Sequence, residues 1–90
     1  MNDLPPPPPG TRVPVLLPDL GAPGARVSLW FAEPGDLVYE GDRLLEVSVG
    51  EATFDVGAPA TGWLAERLVW PNDELRPRQL LGMLSVAADD

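Results

Sequence analysis

The segment "EPGDLVYEGDRLLEVSV", Glu33 to Val49, falls over "WPNDELRPRQLLGMLSV", Trp70 to Val86, when the sequence is shifted by 37 positions. Pro34 then meets Pro71, Asp36 meets Asp73, Leu44 meets Leu81, Ser48 meets Ser85 and Val49 meets Val86. Val38 with Leu75 and Val47 with Leu84 are conservative pairs. Each copy follows one plan, a Pro-x-Asp turn and then a strand whose apolar residues fall inward. Two such halves, related by a pseudo-twofold axis, would interlock around one core.

Between the copies runs "EVSVGEATFDV", Glu46 to Val56, which reads as two short strands joined by a tight turn at Gly50-Glu51. No segment holds a helical period for three turns. Pro14, Pro18, Pro23, Pro34, Pro59, Pro71 and Pro77 interrupt the chain at intervals that only short strands tolerate. Candidate strands are residues 13–18, 25–32, 36–40, 43–49, 52–58, 62–70, 73–77 and 80–86, separated by Gly, Pro, Asn and Asp turn signals. The expected class is all-β, a sandwich or flattened barrel. Phe54 and Val56, alternating with Asp55, are expected on the buried face of the strand leaving the hairpin. Trp30 and Trp63 fall at positions that alternate inward, and Trp70, at the repeat of Glu33, is expected to pack in the core or at its rim, with an aromatic docking contact the alternative.

Ninety residues make one domain, and a chain of this size buries only about 60–65% of its extended surface, so the core must be compact. Residues 1–11 form a Pro-rich tail in which Pro5 to Pro9 favours an extended polyproline II spacer; residues 12–87 form the domain, and 88–90 an acidic end. Apolar stretches stay short of the ~18 residues a membrane span needs. A net charge of −8 repels phosphate backbones, which argues against nucleic-acid binding. The start of the chain has no basic region followed by an apolar one, so a cytoplasmic location is expected. Cysteine and histidine are absent, and all six basic residues are arginine, so the chain holds no lysine.

These segments resemble the biotinyl/lipoyl carrier domains, and most closely the lipoyl domain of the acyltransferase component of 2-oxoacid dehydrogenase complexes. "VLLPDLG" (Val15 to Gly21) is similar to that family's opening strand and turn. "LWFAEPGDLVYEGDRLLEV" (Leu29 to Val47) is similar to its Trp-x-x-x-x-Gly-Asp-x-Val-x-x-Gly-Asp-x-Leu segment, and "APATGWL" (Ala58 to Leu64) to its Pro-x-x-Gly return. The resemblance implies a barrel-sandwich hybrid: two small four-stranded sheets, pseudo-twofold, with the modified hairpin at one end. In the family that hairpin reads Glu-Thr-Asp-Lys-Ala, with the lysine at the tip. The corresponding residues here are Ser48, Val49, Gly50, Glu51 and Ala52, so Glu51 stands where the resemblance implies a lysine.

The chemistry of attachment turns on that residue. Lipoyl and biotinyl groups are joined as amides by an amine attacking an activated acyl group, and a lysine amine is exposed, mobile and able to lose its proton. A glutamate carboxylate forms no stable amide, and an arginine guanidinium stays protonated. The expectation is therefore a lipoyl-like, non-catalytic domain that takes neither lipoyl nor biotin, binds no cofactor, and serves as a protein-binding or scaffold module. Its partner would be a protein, such as a member of a multienzyme acyl-transfer or carboxylase complex. Glu46, Glu51 and Asp55, with Trp70, are the candidate contact residues; the acids serve either as a recognition patch or as a solvated edge that discourages strand pairing. The alternative is the N-terminal lipoyl-type domain of a larger dihydrolipoamide acyltransferase-like protein. Without His, Cys or Lys no catalytic group stands out, and Asp36, Asp42 and Asp73 are read as turn residues in preference to metal ligands.

Overall fold

The computed structural model describes residues 10–20 and 24–87. They form β1 (Gly10–Leu16), β2 (Ala25–Trp30), β3 (Leu37–Val38), β4 (Arg43–Val49), β5 (Ala52–Gly57), β6 (Gly62–Arg67), β7 (Glu74–Leu75) and β8 (Leu80–Ala87). The strands make two antiparallel four-stranded sheets, ordered β1-β8-β6-β3 and β5-β4-β2-β7. Each strand overlaps one of the eight segments expected from the sequence, six lying wholly within theirs, while β1 begins earlier and β8 ends one residue later. β1 starts at Gly10, so Gly10 and Thr11 belong to the sheet and not to the tail. The Pro5–Pro9 run and the acidic end 88–90 lie outside the described residues.

The repeat is a true structural one. Replacing β5, β4, β2 and β7 by β1, β8, β6 and β3 turns one sheet order into the other, and hydrogen bonds follow the same exchange. The Phe31 N–H donates to the Leu44 carbonyl at 2.8 Å, and the Leu68 N–H to Leu81 at 2.9 Å. Gly35 donates to Leu64, and Asn72 to Val27, both at 2.8 Å. Even the bulges correspond: register slips between Val27 and Leu29 on β2·β4, and between Leu64 and Glu66 on β6·β8.

The aligned apolar pairs of the repeat form the core. Leu44 and Leu81, Val47 and Leu84, and Val38 and Leu75 are all buried, joined by Val15, Val27, Leu45 and Leu64. Each fully buried leucine contributes about 1.5–3 kcal/mol relative to an exposed one. Trp30 and Trp63, expected to point inward, are half-buried. The indole N–H of Trp30 donates to the Val69 carbonyl at 2.8 Å, which lets the ring sit at the core margin without stranding a donor.

Four turns share one side-chain device, and three of them carry an aspartate. The Glu33 N–H donates to Asp36 Oδ2 at 2.8 Å, Tyr39 to Asp42 Oδ2 at 2.9 Å, and Trp70 to Asp73 Oδ2 at 2.8 Å. In the fourth, Gln79 Oε1 takes the place of a carboxylate and accepts from Arg76 N–H at 2.8 Å. Each acid closes its own turn by bonding a backbone amide three residues back, and among the described residues no cluster of acids is arranged to hold a metal.

One expectation fails. The alternation expects Phe54 on the buried face with Val56, yet Val56 is 4% exposed and Phe54 41%. Both lie on the core-facing side of β5, opposite Leu45 and Val47 of β4. β5 is an edge strand of its sheet, and of its core-facing residues Val56 is covered whereas Phe54, nearer the hairpin tip, is left exposed.

Candidate functional site

The hairpin tip is built by Val49 pairing with Ala52, leaving Gly50 and Glu51 as a two-residue connection. Gly50 has φ +60 while Glu51 does not enter positive φ. Left-handed backbone at the first central position only is the pattern of a type II′ turn, which asks for glycine there and follows the twist of the flanking strands. Gly50, Glu51 and Ala52 are exposed, and the Glu51 carboxylate stands at the bend. The pseudo-symmetric counterpart of this tip is the Gly10–Ala87 pair, at the first residue of β1 and the last of β8.

The three candidate acids do not form one patch. Glu46 and Asp55 are direct cross-strand partners on the outer face of the sheet, a like-charge pairing that alone is unfavourable. Arg43 offsets it: its guanidinium lies 3.7 Å from Asp55 and stacks over the Phe31 ring, 4.4 Å from the centroid. Glu51 lies four residues along β5 from Asp55, about 13 Å of extended strand, and stands apart from that cluster.

Trp70 belongs to a different feature. It is 54% exposed at the turn leading to β7, and with Leu29, Trp30, Arg67 and Pro71 it lines an open groove of about 440 Å³. The Arg67 guanidinium lies 6.0 Å over the Trp30 ring. Leu29 links the two features, since it lines the groove and also sits opposite Glu46 on β4. Leu29, Phe31, Arg43 and Arg67 were not singled out in the sequence. The signal available was the apolar run Leu29-Trp30-Phe31, since a strand with one buried face must turn some members of such a run to solvent.

No family model matches the sequence, and no curated protein does. Among solved structures, the chain is similar to the solution structure of the lipoyl domain of the 2-oxoglutarate dehydrogenase complex from Azotobacter vinelandii. The TM-score is 0.69 at 22% identity, over 84% of this chain and 99% of that one. The chain has the lipoyl-domain fold. Within that fold, Glu51 occupies the bend of the β4–β5 hairpin, and the half-buried Glu46 with the exposed Asp55 and Arg43 forms a separate cluster further along the outer face.

Proposed function

We propose that this chain is a lipoyl-type domain that works by contact and not by carrying an acyl group. The observation that supports the reading is the hairpin itself: a regular two-residue turn with a carboxylate at its bend, in a sequence without a single lysine. Neither Glu51 nor any arginine can supply the amine for amide formation. What remains usable is surface, namely the tip, the Glu46–Asp55–Arg43 cluster and the apolar groove at Trp70 and Leu29. A protein partner, of the kind that assembles multienzyme acyl-transfer or carboxylase complexes, fits this surface. No residue is assigned a catalytic role.

The test is mass measurement of the intact protein after co-expression with a lipoyl ligase and with a biotin ligase. An unchanged mass is expected in both cases, and a gain of one lipoyl or biotinyl group would overturn the reading. A second reading, a lipoyl-type domain belonging to a larger dihydrolipoamide acyltransferase-like protein, draws on the similarity to a domain of a dehydrogenase complex. A catalytic domain encoded in the same reading frame would favour it.

A further inference from the structure

The geometry points to β5 as the contact strand of a weak homodimer, in which two copies pair edge to edge into one continuous sheet. The direction of the backbone groups follows from the hydrogen bonds. Val27 donates to the Asp73 carbonyl at 3.0 Å and accepts from the Asn72 N–H at 2.8 Å, so its polar backbone faces away from β4. Its β4 partner, Val47, therefore faces β5, where it meets Phe54. Alternation along an antiparallel pair then aims the N–H and C=O groups of Thr53 and Asp55 outward. Among the described residues no strand lies on that side of β5.

The symmetry-related edge shows what a protected strand looks like here. Val56 faces Leu45 as Val15 faces Gly82, which makes Pro14 of β1 the counterpart of Asp55. A proline at the outward position has no N–H to offer and blunts the edge against pairing. On β5 the same position keeps its donor.

The β5 edge is also complementary to itself. In an antiparallel pairing centred on Phe54, Thr53 lies opposite Asp55 of the second copy, and Asp55 opposite Thr53. Both residues direct their backbone groups outward, so this register makes four inter-chain backbone hydrogen bonds. It sets the Thr53 hydroxyl against the Asp55 carboxylate, a favourable cross-strand pair, and keeps the two aspartates off each other. Phe54, at the dyad, forms a non-hydrogen-bonded pair with its own counterpart, where Cα atoms approach to about 4.5 Å. The ring that β5 leaves 41% exposed is thereby covered. Arg43, 3.7 Å from Asp55, reduces the local negative charge.

The contact is smaller than the ~1,200 Å² of a standard stable interface, so the association is weak. Each copy carries a net charge of −8, so added salt should strengthen it by screening the repulsion. Sedimentation equilibrium of the full chain from about 10 µM to about 1 mM, the range of weak complexes, at low and high salt, tests this. The expected result is a monomer–dimer equilibrium that tightens with salt. Asp55→Pro, which copies the β1 solution, should weaken it at least about tenfold while the circular dichroism melt is retained, and Asp55→Asn, which keeps the N–H, should not. Phe54→Ser should also weaken it, and decides alone should Asp55→Pro fail to fold. A monomer at every concentration, or a dimer that the folded Asp55→Pro or Phe54→Ser variant leaves intact, overturns the proposal.

Discussion

Arg78 holds the backbone position that Gly41 holds in the other half of the repeat: both lie in the left-handed region, at φ 63 and φ 90. Gly35 and Asn72 form the matching pair at φ 97 and φ 74. Asparagine tolerates this region, whereas arginine is strained there, by about 1–2 kcal/mol set against the ~0.5–1 kcal/mol of chain entropy that a glycine would cost. Arg78→Gly is therefore expected to stabilise the domain by about 0.5 kcal/mol, or about 2–4 °C in Tm for a domain of this size. Arg78→Val, branched at Cβ, should lower Tm. A thermal melt in which the glycine variant is no more stable than the parent would contradict this account of the turn.

The turn aspartates make a second comparison. Removing the Asp73 carboxylate leaves the Trp70 N–H without its acceptor, so Asp73→Ala should cost about 1 kcal/mol and Asp73→Asn, which keeps an acceptor oxygen, much less. Because Trp70 is held at this turn, its emission should shift with the alanine variant. Equal melts for Ala and Asn would remove the hydrogen bond from the explanation.

Gly82 tests how closely β8 packs against β6. A Cβ at Gly82 would stand 2.7 Å from the Glu66 carbonyl oxygen and 3.3 Å from the Trp30 ring, whereas one at Gly57 meets nothing nearer than 3.4 Å. Overpacking of this kind costs about 1–3 kcal/mol. Gly82→Ala should accordingly melt lower by several degrees, and Gly57→Ala should differ little from the parent. The reverse order, read by urea denaturation, would mean that the β6–β8 contact yields more easily than the geometry implies.

The fold was legible because its punctuation is local. Prolines and glycines cut the chain into strand-length pieces, the offset of the repeat aligned Leu44 with Leu81 and Val47 with Leu84, and Gly50-Glu51 marked the bend. Properties set by strand order were not legible. Phe54 alternates correctly with Asp55, yet its exposure depends on β5 being outermost, which no local pattern encodes. Leu29 and Phe31 point outward because the bulge between Val27 and Leu29 shifts the alternation by one, and the groove at Trp70 draws on β2, β6 and a turn that are distant in sequence. The three acids looked like one patch along the chain, but pairing joined Glu46 to Asp55 and left Glu51 alone at the bend.

The last prediction concerns that bend. The turn depends on Gly50, which alone of the two central residues carries positive φ, and hardly at all on the exposed side chain that follows. Glu51→Lys should therefore fold with a stability within about 0.5 kcal/mol of the parent, as exposed substitutions usually do. It places a protonated amine, able to lose its proton and attack an activated acyl group, at the outermost point of the hairpin. Co-expressed with a lipoyl ligase, the variant should gain the mass of one lipoyl group while the parent gains none. A well-folded variant that stays unmodified would mean that the residues around the bend, and not the missing amine alone, keep this hairpin from accepting an acyl group.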